Sequence, residues 1–383
     1  MIVETNRFQQ ISQTKRPRLA LVSIGIRRDL LTPLAHFVQF ELAHFYQQNV
    51  YGDLTADDFD STLIKYSSPL ELYQQLVRAQ PNVIQGVEPF SYYTQPFAWA
   101  CLLAARKTRA ALLIPTYENR PLAIKFGKFR AAMLQRSLKV YFARACLIIT
   151  HNDGARENVL QCGAAAHKIV RGMWGSWGVD TGEFFPDTER YGERSVHAPV
   201  LLFAGRLHAE KGVFVLLDAF VDVHKKFPNA RLLYAGDGPA RDTLASQIQS
   251  RNLAEVVTLC GTIKNRDIPQ LFRQADIFCA PSLTTRKWAE QVGMSSLQAM
   301  ASAIPIVSTR SGAIPEYVPD GVAGVLVEEN NSPALANALL ELLENPERAR
   351  EMGRRGREYA CAHYDARANI ARAEQLVMEH CVK

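Results

Sequence analysis

The amino-acid sequence predicts an α/β protein with two doubly wound parallel sheets in tandem. Short runs rich in Leu, Ile and Val alternate with longer stretches of helical periodicity, and the runs are apolar on both faces, as parallel strands between helix layers require. One segment rich in glycine, proline and charge interrupts this alternation, which then begins again. At 383 residues the chain is also too long for one ordinary hydrophobic core. We therefore expect two domains.

Five apolar runs predict the strands of an N-terminal domain, placed at residues 1–185. These runs are LALVSIG (19–25), NVIQGVE (82–88), AALLIPTYE (110–118), CLIITH (146–151) and KIVRGMW (168–174). Helical patterns separate them, so the strands are expected to be parallel. The stretch 177–200 then breaks the alternation, and within it residues 186–199 are the predicted interdomain linker.

Six further runs predict the strands of a C-terminal domain, placed at residues 200–365. They are VLLFAGRL (200–207), ARLLYAGDG (230–238), VVTLCGTI (256–263), DIFCAPSL (276–283), PIVSTRSG (305–312) and GVLVE (324–328). Residues 366–383 are placed as a final helix that packs back on the N-terminal domain. Ligands of open parallel sheets bind outside the carboxyl ends of the strands, so function is expected in the cleft between two Rossmann-like domains.

Composition narrows the class of protein. Hydrophobic residues make up 48% and charged residues 21% of the chain, as in folded globular proteins. No stretch approaches the roughly 18 uninterrupted apolar residues of a membrane span, and no signal peptide is evident at the N-terminus, so a cytoplasmic location is expected. The seven cysteines form no CxxC pair and are predicted to be reduced core thiols, with neither disulfide nor metal site.

A first candidate site follows the strand VLLFA. The segment GRLHAEKG, which opens at Gly205, places Arg206 and Lys211 at a strand's carboxyl end and beside a helix N-terminus, where backbone N–H groups favour an anion. An Arg fork and a Lys point charge suit a diphosphate and can stabilise the charge on a departing nucleotide. A surface turn with solvated charges is the alternative.

A second candidate is the segment GDGP, in which Gly236, Asp237 and Gly238 follow another strand. Glycines there let the backbone approach a ligand closely, although a plain tight turn explains the pattern equally well. The chain contains no G-x-G-x-x-G after a strand and no G-x-x-x-x-G-K-[ST], which argues against dinucleotide-binding and P-loop sites.

The stretch 288–318 is the most specific in the chain. Glu290 precedes the small-residue turn VGMSS, which opens a short helix. The amides of Gly293, Met294 and Ser295 can face the cleft there, while Glu290 can accept hydrogen bonds from sugar hydroxyls and Gln298 points along the same helix face. A buried capping Glu with a solvent-facing Gln is the alternative.

The order of these segments resembles the C-terminal domain of family-4 retaining glycosyltransferases, continuously over about residues 200–330. The stretch 143–186 resembles, more weakly, the family's passage into the interdomain hinge. The resemblance covers roughly half of the chain. It implies the GT-B fold and the transfer of a sugar from a nucleotide diphosphate sugar to a polysaccharide, lipid-linked or other acceptor.

The same resemblance implies a GT-B hexosyltransferase whose donor is a nucleotide diphosphate sugar. By position in the family's motifs, Arg206 and Lys211 would grip the donor diphosphate, and Glu290 with the amides after it would hold the donor sugar. Thr262 and Ile263 would lie against the nucleobase, mostly through backbone atoms. The family is thought to need no metal or protein nucleophile, because the acceptor hydroxyl attacks on the face from which the diphosphate leaves.

The sequence departs from the family pattern at several positions. The family's second Glu, which binds the ribose hydroxyls, is replaced by Gln298, whose amide can form the hydrogen bond but lacks charge assistance. The family's cleft histidine is replaced by Glu118 and Asn119. We expect Glu118 to contact the donor in its place and Arg27 to lie near the phosphates, with a structural Glu as the alternative; Glu88 is a weaker candidate.

Two other functions remain open at this stage. Because the family's ribose-binding Glu is replaced by Gln298 and its cleft histidine is absent, one alternative is a non-catalytic GT-B scaffold or regulatory partner, which would bind no nucleotide. A GT-B sugar-nucleotide epimerase would release an altered sugar without an acceptor. A nucleic-acid partner is not expected, since no basic stripe is interleaved with aromatic residues.

The segment 123–145 predicts a basic amphipathic helix. Its apolar stripe and its basic flank are formed by Phe126, Met133 and Val140 and by Lys125, Lys128, Arg136 and Lys139, respectively. Such a helix can rest on anionic lipid and bring the enzyme to a lipid-linked acceptor at the cytoplasmic face of a membrane. A domain helix packed on the sheet, with solvated lysines, is the alternative.

Overall fold

A computed structural model describes residues 16–49, 54, 62–187 and 198–382 of the chain. In the N-terminal half the described strands form one parallel sheet. They are β1 (Arg18–Ile26), β2 (Glu41–Asn49), β3 (Leu63–Lys65), β4 (Val83–Gln85), β5 (Ala111–Thr116), β6 (Leu147–Thr150) and β7 (Ile169–Arg171). Their spatial order is β3-β2-β1-β4-β5-β6-β7, so the sheet is doubly wound about β1.

Helices cover both faces of this sheet. They are α1 (Arg28–Leu31), α2 (Pro69–Ala79), α3 (Gln95–Thr108), α4 (Leu122–Phe126), α5 (Lys128–Arg144) and α6 (Asp153–Gln161). Side-chain caps fix two of the helix starts: Ser68 accepts a hydrogen bond from the Glu71 N–H, and Asn152 accepts one from the Ala155 N–H. The α6 cap holds the loop after β6 at the carboxyl edge of the sheet.

The C-terminal half repeats the architecture with a six-stranded parallel sheet in the order β10-β9-β8-β11-β12-β13. Its strands are β8 (Val200–Ala204), β9 (Arg231–Ala235), β10 (Val257–Gly261), β11 (Ile277–Ala280), β12 (Ile306–Thr309) and β13 (Gly324–Val327). Its helices are α7 (Val213–Lys226), α8 (Arg241–Ser250), α9 (Ile268–Arg273), α10 (Met294–Ala301), α11 (Ile314–Tyr317), α12 (Ser332–Glu344), α13 (Pro346–His363) and α14 (Ala366–Cys381).

The strands predicted from the apolar runs are all present, and two further strands, β2 and β3, were not predicted. In β2 only His44, Phe45 and Tyr46 are buried, and the polar residues at both ends of the strand hide the apolar pattern. The three residues of β3 at the sheet edge are half-buried or exposed. Of the predicted linker 186–199, residues 188–197 lie outside the described part of the chain.

The last helix, α14, packs on the N-terminal sheet. Its apolar residues Ile370, Ala373 and Val377 join the core cluster that contains Leu19 and Leu21 of β1. Buried Glu374 accepts hydrogen bonds from the backbone N–H groups of residues 38 and 39 through Oε1, at 3.0 and 2.7 Å. The helix therefore connects the C-terminal end of the chain to the first domain.

The cysteine prediction is wrong for one pair. Cys146, just before β6, and Cys381, at the end of α14, form a disulfide across 235 residues of sequence. The pattern of single cysteines in apolar runs could not reveal this pair, because the two residues meet only when α14 folds back. Cys101, Cys162 and Cys279 are free and buried, as predicted.

Direct contacts join the two sheets across the cleft. The Asn119 Nδ2 donates to the Glu290 carbonyl at 2.6 Å, and the Tyr317 hydroxyl donates to the His151 carbonyl. Glu316 accepts a hydrogen bond from the Asp153 N–H at 3.0 Å and pairs with Arg171 at 2.8 Å. These contacts hold the loops after β5 and β6 against the segment that carries Glu290.

The predicted helix over 123–145 is divided in two. Gly127 adopts a φ of 85° between α4 and α5, a left-handed conformation that interrupts the helix. Phe126 is consequently half-buried and contacts the core, whereas Met133 and Val140 remain exposed on α5. Among the described residues, no helix has both the length and the apolar character needed to cross a membrane.

Candidate active site

The loop after β8 brings two cations to the carboxyl edge of the C-terminal sheet. Gly212, which precedes α7, has a φ of 71°, and a Cβ there would lie 1.8 Å from the Pro281 carbonyl oxygen. Only glycine fits this approach, which sets Lys211 beside the end of β11. Arg206 is exposed at the start of the same loop and forms no ion pair within the described residues.

Lys211 and Glu290 form an ion pair in the cleft. The Lys211 Nζ lies 2.7 Å from Glu290 Oε2, and the Ser282 hydroxyl donates to the same oxygen at 2.9 Å. Lys211 Nζ also lies 4.6 Å from the centre of the Trp288 ring, a cation–π contact. Both charged side chains are largely buried, so the pair fixes their positions before any ligand arrives.

A cavity of about 390 Å³ lies next to this ion pair. Its walls come from both domains: Arg27, Tyr117 and Ser176 from the first, and the two loops around Arg206 and Glu290 from the second. Gly293, Met294 and Ser295 complete the wall at the N-terminus of α10, and Gly293 has a φ of 64° there. The free N–H groups at a helix start suit an anionic or hydroxyl-rich ligand.

The GDGP segment packs against the loop that carries Arg206 and Lys211. A Cβ at Gly236 would lie 1.9 Å from the Gly205 carbonyl oxygen, and a Cβ at Gly238 would lie 2.5 Å from the Leu207 carbonyl oxygen. The Asp237 carbonyl accepts a hydrogen bond from the Leu207 N–H at 2.9 Å. Gly205 lines the cavity, whereas Gly236, Asp237 and Gly238 do not.

Three further predicted donor-binding residues lie outside the cavity walls. Thr262 is exposed and Ile263 is half-buried after β10, where Ile263 packs on the core. Gln298 is half-buried on α10, one turn beyond the residues that line the cavity. The structure therefore brings Arg206, Lys211 and Glu290 to one cavity, whose wall does not include these three positions.

Glu118 matches the alternative given for it, a structural residue that does not contact the donor. Its side chain is buried, it pairs with Lys125, and its Oε1 accepts a hydrogen bond from the Arg120 N–H at 2.9 Å. It does not line the cleft cavity, which is bordered instead by the preceding residue, Tyr117. The loop after β5 turns the Glu118 carboxylate toward α4, so the expected donor contact is corrected to an internal ion pair.

A second cavity, of about 360 Å³, lies at the carboxyl edge of the N-terminal sheet. Apolar side chains form much of its wall, and it shares Arg27, Tyr117 and Ser176 with the cleft cavity. Arg27 is held by Asp29 through two hydrogen bonds of 2.9 Å. The two cavities are thus adjacent and are separated by shared residues.

Polar groups line the inner part of this second cavity. The Ser23 hydroxyl and His44 Nε2 lie 2.7 Å apart, and burial lowers the pKa of His44 to about 4, so the imidazole is neutral. Glu88 Oε1 accepts hydrogen bonds from the N–H groups of Tyr117 and Glu118 at 2.6 and 2.7 Å. Burial raises the pKa of Glu88 to about 7.

Sequence reasoning missed Tyr117, Ser176, Ser282 and Trp288. The positions of Ser282 and Trp288, eight and two residues before Glu290, were available signals, because both lie in the same strand-end segment. Tyr117, which directly precedes Glu118 at the end of a predicted strand, offered the same signal. Ser176 did not, since it reaches the cavity only through the packing of the first domain against the second.

Two parallel-sheet α/β domains that share a cleft define the GT-B class of fold, and the fold prediction is confirmed. HepE from Anabaena, in complex with UDP and glucose, superposes with a TM-score of 0.75 at 16% identity, covering 94% of this chain and 99% of that one. Sucrose-phosphate synthase from Thermosynechococcus elongatus gives 0.73 at 19% identity, covering 95% and 99%. At these identities the likeness establishes the fold alone.

The sequence of the second domain matches a family model. Residues 188–359 match the family model described as Glycosyl transferases group 1. The chain therefore carries a glycosyl transferases group 1 domain, and this domain contains Arg206, Lys211 and Glu290. The resemblance stated from the motifs is confirmed at this level, and the family-4 subdivision stays a prediction.

Curated relatives align over part of their length. A GDP-mannose-dependent alpha-(1-6)-phosphatidylinositol monomannoside mannosyltransferase from Mycolicibacterium smegmatis is 33% identical over 209 residues, which are 52% of this chain and 54% of the relative. A D-inositol 3-phosphate glycosyltransferase from Corynebacterium kroppenstedtii is 32% identical over 198 residues, 48% of this chain and 43% of the relative. The chain spans about half the length of these relatives.

Proposed function

We propose that this protein is a glycosyltransferase that moves a sugar from a nucleotide diphosphate sugar to an acceptor hydroxyl with retention of configuration. The observation that carries the proposal is the grouping of Arg206, Lys211 and Glu290 around one cavity between two GT-B domains. The group 1 domain and the relatives named for sugar transfer support it.

The two cations supply leaving-group stabilisation in this proposal. Negative charge grows on the diphosphate as the glycosidic bond breaks, and fixed cations in a partly buried cleft lower the energy of that transition state. Lys211 is already held by Glu290 and Trp288, so it needs little reorganisation. The exposed Arg206 can close on the phosphates from the other side of the loop. We propose that these cations act without a metal ion.

Glu290 positions the donor sugar. Its Oε2 is taken by Lys211 and Ser282, and the carboxylate is held at the cavity wall, where it can accept hydrogen bonds from sugar hydroxyls. Glu290 is the one carboxylate among the described residues that line this cavity. Because Lys211 and Ser282 occupy its Oε2, the carboxylate is a poor nucleophile, and we propose front-face attack, in which a phosphate oxygen of the leaving group takes the proton of the acceptor hydroxyl.

The acceptor is proposed to enter through the second cavity. This cavity adjoins the donor side at Tyr117 and Ser176, and its polar residues Ser23, His44 and Glu88 can orient a hydroxyl. The named relatives act on phosphatidylinositol monomannoside and inositol phosphate, both of which offer hydroxyl groups. A polysaccharide, a glycolipid or another conjugate fits the same chemistry.

A thermal-shift titration followed by kinetics tests the proposal. UDP, GDP, ADP and their sugar conjugates are added with EDTA, and one nucleotide is expected to raise the unfolding midpoint. Arg206→Ala and Lys211→Ala are each expected to lower kcat at least about a hundredfold with the fold intact. Lys225→Ala, on exposed α7 surface, is the matched control.

Two results would contradict the proposal in different ways. Full turnover in both the Arg206→Ala and the Lys211→Ala variants would contradict the assignment of these two residues to diphosphate binding. No midpoint shift with any nucleotide would favour the non-catalytic scaffold, in which the replacement of the ribose-binding Glu by Gln298 has ended donor binding.

A further inference from the structure

The outer face of α5 combines exposed apolar side chains with cations. Phe129, Met133 and Val140 are 78%, 61% and 54% exposed, while Leu134 and Leu138 on the opposite face are buried in the core. Phenylalanine, methionine and valine side chains rarely face water together on one helix face of a monomeric protein. The inner face accounts for the packing of α5, and the outer face is left without a partner among the described residues.

The segment that contains α4 and α5 carries charge of one sign. Between Glu118 and Asp153 the sequence contains no acidic residue. The same interval contains seven cations, which are Arg120, Lys125, Lys128, Arg130, Arg136, Lys139 and Arg144. Of these, Lys128, Arg130, Arg136 and Lys139 are exposed on α5. An anionic surface with an apolar interior is complementary to both features at once.

The apolar surface continues beyond α5. Ile124 on α4 is 47% exposed, and Tyr92 is 60% exposed and lies 5.5 Å from Phe126, ring centre to ring centre. Two residues after Tyr92, Thr94 lines the proposed acceptor cavity. The Arg286 Nε donates to the Ile124 carbonyl at 3.1 Å, which joins this surface to the loop that leads to Glu290. The surface therefore lies beside both cavities.

We propose that this surface, formed by Tyr92, Ile124, Phe129, Met133 and Val140 with the α5 cations, docks on an anionic phospholipid bilayer. Docking would bring the acceptor cavity to the lipid headgroups, so the acceptor class is a lipid-linked hydroxyl compound. The acceptor statement rests on the proposed glycosyltransferase function, whereas the docking itself does not.

Vesicle flotation tests the docking without turnover. The full chain is mixed with phosphatidylcholine vesicles that contain or lack phosphatidylglycerol, at low and at high salt. Binding is expected with the anionic vesicles, with a large decrease at high salt because surface charge is screened. Equal binding to both kinds of vesicle, or no binding to either, would overturn the proposal.

Two sets of variants locate the surface. Phe129→Ser, Met133→Ser and Val140→Ser combined are expected to lower anionic-vesicle binding at least about tenfold. Lys128→Gln, Arg130→Gln and Arg136→Gln combined are expected to lower it by about fivefold per charge. The matched controls, which change exposed apolar residues and cations elsewhere, are Val38→Ser with Leu70→Ser and Leu103→Ser, and Lys225→Gln with Arg266→Gln and Arg355→Gln.

The controls separate the possible causes of a loss. If the control sets lower binding as much as the α5 sets, the effect is general and the surface is wrongly assigned. Unchanged unfolding midpoints show that the variants fold. A dimer that dissociates in the apolar α5 variant, measured by sedimentation, would assign the surface to a second copy and overturn the lipid proposal. Nucleotide binding, measured separately, reports on the proposed function.

Discussion

At the scale of single residues, Glu88 is the group whose charge state depends most on its surroundings in the acceptor cavity. Its carboxylate accepts two backbone hydrogen bonds, which favour ionisation, but its burial opposes ionisation more strongly. The pKa of Glu88 rises from 4.5 to about 7. A protonated carboxyl is therefore favoured in the folded protein at mildly acidic pH.

Glu88→Gln tests this balance. Because the folded pKa is raised, the stability linked to Glu88 is fully present below about pH 4.5 and is lost as pH rises through about 7. Relative to the native chain, the variant is expected to gain on the order of 1–3 kcal/mol at pH 8 and little at pH 5. Urea unfolding at both values measures the gain, and an equal difference at both would contradict the assigned pKa.

At the scale of elements, α14 is the helix that ties the end of the chain to the first domain. Its apolar face joins the core under β1, Glu374 holds the backbone near residue 38, and Cys381 is bonded to Cys146. A covalent link across so long a loop limits the unfolded chain more than the folded one. The disulfide is thus expected to stabilise the docking of α14.

Reduction tests the contribution of this link. Dithiothreitol, or Cys381→Ser, is expected to lower the free energy of unfolding by about 2–4 kcal/mol. Cys361→Ser, which removes an exposed free thiol, is the control and should leave stability unchanged. Thiol titration of the unreduced protein in denaturant should find five free cysteines. Seven free thiols, or no effect of reductant, would rule out the disulfide.

At the scale of the whole molecule, two buried histidines connect stability to pH. Burial lowers the pKa of His44 to about 4, and burial together with Arg171 lowers that of His151 to about 3. His151 also lies at the contact between the domains, where its ring stacks on Tyr117 and its carbonyl accepts from the Tyr317 hydroxyl. Protonation of His151 in the folded protein would place a charge in this contact.

Acid is therefore expected to destabilise the protein. Both folded pKa values are depressed below the ordinary 6.5, so the linked stability is present above pH 6.5 and is lost as pH falls toward 4. Each histidine contributes up to about 1.4 kcal/mol per pH unit in this range. Urea midpoints between pH 7.5 and 4.5 measure the slope. His44→Gln should flatten it, while the control His167→Gln, at an exposed position, should not.

The sequence by itself determined eleven of the thirteen described strands and the segments that carry Arg206, Lys211 and Glu290. Apolar runs of this kind are local signals, because burial on both faces requires every residue of a short strand to be apolar. These features depend on neighbours in the chain.

Only the tertiary structure decided the direction of Glu118, the pairing of Lys211 with Glu290, the Cys146–Cys381 link and the second cavity. Each of these joins residues that are distant in sequence, or depends on which way a loop turns at the end of a strand. The sequence pattern contains the residue types but not the packing of one domain on the other, and that packing sets their contacts.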